Sequence, residues 1–217
     1  MKLTINETAN DYNVEDFVIQ NDVLVKYRGS ESNIVIPNSV VYIGDSAFRQ
    51  CTSLISVTIP NGITSISDNA FSGCRSLTNI TIPDSVTYIG YDAFNNCTSL
   101  TSITIPDSVK SIGWSAFYGC TNLKSITIPN SIKKIGPSLF YDCESLKTIN
   151  IPNGVKSIGT SAFYGCASLT SIVIPNSVKY IGYEAFFGCS NLTDVYIEGN
   201  TEIEEDAFVH TPVEDVF

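Results

Sequence analysis

The chain has 217 residues, 43% of them hydrophobic, and its 22 acidic and 12 basic side chains give a formal net charge of -10. A chain of this length and composition buries a large core within one domain. The acidic balance argues against nucleic acid as a partner, because a protein that neutralises phosphates is basic where it binds. No run approaches the ~20 apolar residues that a membrane span requires, so we expect no membrane insertion.

Residues 1–33 predict an N-terminal cap. They lack the Ala-Phe-x-x-Cys pattern of the later chain, and residues 17–27 predict two strands joined at Asn21 and Asp22. Such a β-hairpin would cover the first coil of whatever follows. The residues after Lys2 form no apolar core, so we identify no secretory signal in this chain.

Residues 34–197 contain seven copies of a 23-residue unit. A fixed period of this length is typical of one supersecondary unit copied along an axis, which predicts a solenoid. The same step separates three sets of residues: Cys51, Cys74, Cys97, Cys120, Cys143, Cys166 and Cys189; Phe48, Phe71, Phe94, Phe117, Phe140, Phe163 and Phe186; and Pro37, Pro60, Pro83, Pro106, Pro129, Pro152 and Pro175.

Each unit predicts one short strand and one helical turn. In residues 77–99, Ile80 and Ile82 alternate with polar residues, which indicates a strand that ends at Pro83 because proline cannot donate to a ladder. The next apolar pair returns to the interior before a glycine that allows a tight bend. The Ala-Phe-x-x-Cys segment then recurs at helical spacing, which predicts a helical turn.

Residues 198–217 predict a divergent last repeat and an acidic C-terminal cap. The step from Phe186 to Phe208 is 22 residues. We call a position within the repeat a phase, and Glu198 and Glu204 take the phases that the proline and the glycine hold in the earlier units. Polar residues at these phases suit a terminal coil, since an apolar end would expose strand edges to other chains.

The unit Leu-x-x-Ile-x-Ile-Pro-x-x-Val-x-x-Ile-Gly-x-x-Ala-Phe-x-x-Cys resembles the BspA-like, or Treponema-type, leucine-rich repeat family over residues 34–211. The resemblance implies a leucine-rich-repeat solenoid, a right-handed coil of 23-residue repeats with short parallel strands on one face. It also implies a place at the cell surface or outside the cell, in host-associated microbes, and often a role in adhesion. The family defines no binding motif, so no binding residue is carried over from it.

The cysteines and the other reactive side chains predict no catalytic, metal or cofactor site. Same-phase thiols would point in one direction and so favour a buried column of free cysteines over disulfides. No histidine shares that column, since His210 lies in the predicted C-terminal cap. With no nucleophile and base set apart from the repeat, and no phosphate or cofactor motif, we expect no enzyme, no cofactor and no metal.

Two phases carry aromatic residues that the core does not need. We interpret them as a candidate ligand-binding strip, because aligned aromatic rings are enriched in binding surfaces. Stacking between coils, which stabilises the rod, is the alternative interpretation. The strip comprises Tyr91, Trp114, Tyr118, Tyr141, Tyr164, Tyr183 and Phe187.

A second candidate surface is a lysine column within residues 110–179, which carry seven bases against two acids. Like charges on neighbouring coils repel, so the column does not favour stability. Anionic partners such as sulfated glycans are one hypothesis, and a solvated basic face is the other. The column comprises Lys110, Lys133, Lys156 and Lys179, with Lys134 beside it.

Three hypotheses for function follow. The leading one is a non-enzymatic protein-binding scaffold, an adhesin-like or surface interaction module whose partner is a host matrix or cell-surface protein. The second is a carbohydrate-binding accessory module that binds a glycan through the aromatic strip. The third is an intracellular structural repeat protein without a discrete ligand, which the missing secretory signal favours.

Overall fold

The computed structural model of the chain describes residues 14–213 and 215. Residues 1–13 of the predicted N-terminal cap, and residues 214, 216 and 217 of the predicted C-terminal cap, lie outside the described part. The chain winds into a solenoid of about eight coils, each of ~23 residues. Strand pairing joins residues one period apart, as between Ser125 and Ser102, so same-phase residues are neighbours in space.

Every strand is short. A 3-10 helix at Val14–Asp16 precedes them. In chain order they are β1 (Phe17–Gln20), β2 (Val23–Tyr27), β3 (Asn33–Val35), β4 (Tyr42–Ile43), β5 (Ser56–Thr58), β6 (Ser65–Ile66), β7 (Asn79–Thr81), β8 (Tyr88–Ile89), β9 (Ser102–Thr104), β10 (Ser111–Ile112), β11 (Ser125–Thr127), β12 (Lys134–Ile135), β13 (Ser157–Ile158), β14 (Ser171–Ile174), β15 (Tyr180–Ile181), β16 (Asp194–Ile197) and β17 (Glu202–Ile203).

The strands form two sides of the solenoid. The first side contains β3-β5-β7, β9-β11 and β14-β16, and it corresponds to the predicted strand before each proline. The second side contains β1-β2-β4-β6-β8-β10 and β12-β13-β15-β17. Its two-residue strands were not predicted, because two residues are too few to show the alternation that marks a strand.

The third side is an arc of turns, and the prediction of helical turns is wrong. Within residues 14–213 the 3-10 helix at the start is the only helix, and it is too short to cross a membrane. Along the arc, amides alternate between two partners: Phe71 N–H donates to Ala93 O in the next coil at 2.8 Å, and Ser72 N–H donates to Asn69 O at 3.0 Å. A helix requires every amide to bond within its own segment.

Positive φ angles produce this alternation. Asn69 has φ 56° and Gly73 has φ 74°, so the chain passes through the left-handed region twice in each arc. Right-handed helical geometry cannot continue through such residues. The helical spacing of the apolar residues therefore reflects a tight arc whose side chains all point inward.

Columns of identical side chains form the core. Phe48, the later same-phase phenylalanines and Phe208 are buried and stack in parallel, with ring centroids 4.9–5.7 Å apart. Stacked aromatic pairs stabilise a protein by about 0.5–1.5 kcal/mol beyond the burial of their area. Buried alanine, leucine, isoleucine and valine columns flank this stack.

The cysteines form a parallel column. All seven are free thiols, and six are buried, while Cys51 in the first full coil is half-buried. Each buried thiol donates to the carbonyl of the phenylalanine in the preceding coil, as from Cys74 Sγ to Phe48 O at 3.1 Å. The prediction of a column of buried free thiols is thus confirmed from Cys74 to Cys189.

Both ends of the described chain continue the stacking. Strands β1 and β2 pair antiparallel around Asn21 and Asp22, whose φ angles of 49° and 63° are those of a tight hairpin turn. Strand β2 then pairs in parallel with β4 and starts the second side. At the other end, β16 and β17 pair with β14 and β15, and Phe208 stacks on Phe186.

Candidate binding site

The aromatic residues of the predicted strip fall into two separate sets. Four of them occupy one phase of the arc and form what we call the aromatic ridge: Tyr118, Tyr141, Tyr164 and Phe187. Their rings stack face to face on consecutive coils, with centroids 4.4–4.8 Å apart and planes within 7° of parallel. His210 continues the row with an edge contact to Phe187 at 4.8 Å.

Stacking determines which part of each ring remains available. All four side chains are half-buried, and their faces contact the neighbouring rings. Burial, with Tyr164 and Asp142 nearby, raises the pKa of Tyr141 to about 12. In the middle of the row the ridge therefore presents ring edges and hydroxyl groups to a partner, because the flat ring faces contact each other within the rod.

The other three aromatics follow the glycine phase and are exposed. Trp114 is 58% exposed, and Tyr91 contacts it edge to face at a centroid distance of 5.7 Å. Tyr183 is exposed but stands apart, because Pro137 and Thr160 occupy this phase in the two coils between. The structure thus resolves the predicted strip into a ridge, an exposed pair and one isolated tyrosine, and a binding role for them stays a prediction.

The lysine column lies on successive coils of the second side. The amide of Lys156 donates to Lys133 O at 2.8 Å, and that of Lys179 donates to Lys156 O at 2.9 Å. The ammonium groups of Lys133 and Lys179 donate to carbonyl oxygens in their own coils. Among the residues that the structure describes, none of these lysines, nor Lys110 or Lys134, forms an ion pair with a carboxylate.

The backbone ladder of the second side is interrupted between β10 and β12. At most other interfaces of this side the amide at the glycine position donates to a carbonyl of the preceding coil, as from Gly113 to Ile89 and from Gly159 to Ile135, at 2.8 and 2.9 Å. The corresponding bond from Gly136 to Ile112 is absent within the described residues.

A second backbone bond is missing earlier in the same coil, at the amide of Lys133. Lys110, Lys156 and Lys179 donate their amides to the preceding coil, but Lys133 donates none to Lys110 within the described chain. The two coils meet again on either side of the interruption, where the Ser131 hydroxyl donates to Val109 O and Ser115 N–H donates to Pro137 O. The interruption is therefore local and closed at both ends.

We call the resulting opening the cleft. It has a volume of about 520 Å³, opens between residues 110–114 and 132–137, and extends over Ser157, Gly159, Thr160 and Tyr180 of the next two coils. Ile112 is only half-buried here, although the same-phase isoleucines Ile89 and Ile135 are buried. The residues that give it chemical character are Lys110, Ser111, Trp114, Lys133, Lys134 and Tyr180.

The spacing of the backbones confirms the opening independently of hydrogen bonds. A Cβ added to Gly159 would lie 2.9 Å from the backbone of Gly136, and one added to Gly113 would lie 2.5 Å from that of Gly90. A Cβ added to Gly136 would instead first meet the indole of Trp114, at 3.0 Å. The tryptophan side chain thus occupies the place where the preceding backbone lies in other coils.

Two departures from the repeat lie in the coil that borders the cleft. Leu139 replaces an alanine that Ala116 and Ala162 keep on either side, and the bond from Phe117 N–H to Leu139 O lengthens to 3.1 Å from the 2.7–2.8 Å found at this phase in other coils. Pro137 restricts the backbone of Gly136 and has no amide hydrogen. Both departures can be read from the sequence, and they mark this coil as irregular.

Catalytic and metal chemistry find no support among the described residues. No group of three His, Cys, Asp or Glu side chains within residues 14–213 and 215 is placed to hold a metal ion. Burial raises the pKa of the Cys120 thiol to about 12 and that of Cys143 well above its ordinary value, so these sulfurs carry no thiolate near neutral pH.

Comparison with known proteins decides the family. A family model described as BspA type leucine rich repeat region matches residues 19–140 and 111–217, with 6 copies. The chain belongs to this family. The resemblance and the leucine-rich-repeat solenoid predicted from the BspA-type repeat are therefore confirmed.

Solved structures place this BspA-type chain beside bacterial relatives. It is similar to a T. pallidum leucine-rich repeat protein, with 31% identity over 84% of this chain and 91% of that one, at a TM-score of 0.76. A leucine-rich repeat protein from Bacteroides ovatus is 28% identical over 90% and 71% of the two chains, at a TM-score of 0.52. None of the curated proteins matches.

The fold also extends to more distant proteins. The pneumococcal vaccine antigen PcpA shares 23% identity with 87% of this chain, which spans 59% of that protein at a TM-score of 0.53, and this likeness shows the fold alone. Leucine-rich repeat domains generally mediate protein interactions, and the BspA-type family and fold are typically those of non-enzymatic scaffolds.

Proposed function

We propose that this chain is a protein-binding scaffold without catalytic activity, an adhesin-like surface interaction module of a host-associated microbe. The family supports a scaffold, and the extended faces of a solenoid suit the binding of a macromolecule. The partner is a protein of the host matrix or cell surface. A cell-surface or secreted location is part of the proposal.

The aromatic ridge is the observation that carries this proposal. Tyrosines are enriched in protein interfaces because they bring a large rigid area at a low cost in side-chain entropy. In the ridge this rigidity is built in, since Tyr141 and Tyr164 each lie between two rings whose centroids are 4.4–4.8 Å away. Polar residues take the same phase in the earlier coils, at Arg49, Ser72 and Asn95, so the fold does not require aromatic residues there.

The edge-on geometry favours a protein over a neutral sugar as the partner of the ridge. Sugars pack their flat faces on exposed aromatic faces, and the ridge has its faces covered on both sides in the middle of the row. Its hydroxyl edges are suited to hydrogen bonds with backbone and side-chain groups of a protein. A flat protein surface could contact all four coils at once.

Substitution of two ridge residues tests the proposal. The variant Tyr118→Ser with Tyr141→Asn copies the polar residues of the earlier coils, and we expect it to weaken binding to a responsive extracellular-matrix protein by at least about tenfold. The measurement is surface plasmon resonance against a panel of purified matrix proteins.

The matched control is Tyr118→Phe with Tyr141→Phe, which keeps the stack and removes only the hydroxyl groups. We expect this control to retain most of the thermal stability of the parent chain, so that loss of binding and loss of folding are separated. Unchanged binding by the Ser/Asn variant, together with a lower melting temperature, would assign the ridge to stacking within the rod and refute the proposal.

A further inference from the structure

We propose that the cleft between β10 and β12 is a binding site for an acidic sugar residue, a pyranose that carries a carboxylate or a sulfate. This site is separate from the aromatic ridge and does not depend on the protein-binding role. It joins one exposed tryptophan, a group of lysines and an interrupted backbone ladder in a single opening.

Charge is the first argument. Lys110, Lys133 and Lys134 line the cleft, and among the described residues no carboxylate pairs with any of them. The chain as a whole carries a charge of -10, so carboxylates were abundant enough to neutralise such a group. An anionic ligand gains charge-assisted hydrogen bonds from ammonium groups that no carboxylate among the described residues neutralises, although Lys133 Nζ also donates to Asn130 O at 3.3 Å.

The second argument is the polar groups that the interruption leaves open. The amides of Lys133 and Gly136 and the carbonyls of Lys110 and Ile112 lack the partners that their equivalents have in most other coils. A sugar hydroxyl both donates and accepts hydrogen bonds, so a ring with several hydroxyl groups can satisfy donors and acceptors that face each other across a gap. The hydroxyl group of Ser111 adds to this lining.

Trp114 supplies the apolar surface. Its indole is 58% exposed, and unlike the rings of the ridge it is not sandwiched, since Tyr91 touches it edge to face. An exposed indole face at the rim can pack against the carbon–hydrogen face of a pyranose while the lysines hold the acidic group. The volume of about 520 Å³ suits one or two sugar rings.

The shape of the cleft favours a compact ligand over an acidic peptide. A peptide that paired with β10 or β12 would have to run along the strand and leave at both ends. The bonds from Ser131 to Val109 and from Ser115 to Pro137 close both ends. A terminal sugar residue enters from the solvent side and needs no exit.

The tryptophan makes the site directly observable, because Trp114 is the only tryptophan in the chain. We would titrate the full chain with methyl glucuronide, glucose 6-sulfate and neutral methyl glucoside, and record its fluorescence alongside calorimetry. We expect saturable binding of one or both acidic sugars with a dissociation constant on the order of 1 mM, weaker at high salt, and binding of the glucoside roughly tenfold weaker or worse.

Lysine variants locate the charge. Lys110→Gln with Lys134→Gln should weaken binding of the acidic sugar about tenfold. The matched control is Lys156→Gln with Lys179→Gln, which removes the same charge from the same column but outside the cleft, and it should change the affinity by less than about twofold. Equal losses of affinity in both variants would mean that only the electrostatic field of the whole protein attracts the sugar, and this result would overturn the proposed site.

A third variant closes the cleft without harming the fold. Pro137→Thr with Leu139→Ala copies Thr160 and Ala162 of the next coil, and it should restore the missing ladder and abolish sugar binding while the melting temperature stays equal or rises. Binding retained in this variant would overturn the proposal. So would equal binding of the neutral glucoside, or tighter binding of tetraglutamate or uridine monophosphate than of either acidic sugar.

Discussion

Each buried thiol from Cys74 to Cys189 is shielded from water and donates a hydrogen bond to a phenylalanine carbonyl of the preceding coil. Burial favours the neutral form, and it raises the pKa from the ordinary value of 9.0 to about 12 for Cys74, Cys120 and Cys189. The cysteines thus behave as small apolar residues that also satisfy a carbonyl. Their chemistry follows from their phase in the coil.

Alkaline unfolding tests this view. Because the folded-state pKa lies above the unfolded one, the stabilising contribution of each thiol is complete below about pH 9 and is lost as the pH rises towards 12. We expect the free energy of unfolding, measured with urea, to fall steeply above pH 9. Cys120→Ala should make that slope shallower by up to about 1.4 kcal/mol per pH unit, which is the contribution of one ionising group.

A variant at the half-buried Cys51 provides the control. Partial burial raises the pKa of the Cys51 thiol, and the positive charge of the nearby Lys26 opposes this shift. Cys51→Ala should therefore change the alkaline slope less than Cys120→Ala does. Identical slopes for the parent chain and Cys120→Ala would show that this thiol ionises equally in both states.

At the scale of elements, the arc depends on residues that adopt a left-handed backbone. Ser161 has φ 52°, and its amide donates to Tyr183 O in the next coil while its carbonyl accepts from Tyr164. Residues other than glycine pay about 1–2 kcal/mol for this conformation. The bonds between coils make the arc stable despite that cost.

Substitution at Ser161 separates backbone conformation from side-chain contacts. Ser161→Val should lower the free energy of unfolding by about 1–2 kcal/mol, because a β-branched residue is strained at positive φ. Ser161→Gly should leave it unchanged or higher, since glycine adopts this region without strain. Denaturant unfolding of both variants is the measurement, and equal destabilisation by valine and glycine would contradict the argument.

The elements differ in how far the sequence could predict them. The alternation around Ile80 and Ile82 predicts the strand of the first side, because one side chain in two must point inward. The arc could not be predicted in the same way. Ala93, Phe94 and Cys97 recur as they would on a helix, and only the left-handed φ of Asp92 and Asn96 distinguishes an arc from a helix. Aspartate and asparagine tolerate this conformation but do not require it.

The whole molecule is a row of coils whose stability is a sum of interfaces between neighbours. On the second side, strand pairing is interrupted between β10 and β12, and the amides of Lys133 and Gly136 lack bonds that their equivalents have at most other interfaces. The sequence predicted the lysine column and Trp114 as separate features. Their meeting in one cleft became visible only in the spacing of the backbones, next to the irregular residues Pro137 and Leu139.

Hydrogen exchange should reveal this weak interface. The amides of Lys133 and Gly136 lack the bonds that protect Lys156 and Gly159 one coil later, so we expect them to exchange about a hundredfold faster or more. Exchange measured residue by residue with NMR gives the comparison within one molecule. Equal protection at Gly136 and Gly159 would show that the ladder is closed in solution.

The direction of the hydrogen bonds has a mechanical consequence. On the arc and on both strand sides, the bonds between coils run along the axis of the rod. Tension applied along that axis loads the bonds of one interface end-on, so the rod would peel a coil at a time, and each release would lengthen the chain by about 80 Å. A tether of this kind would give way in steps and absorb sudden pulls without breaking.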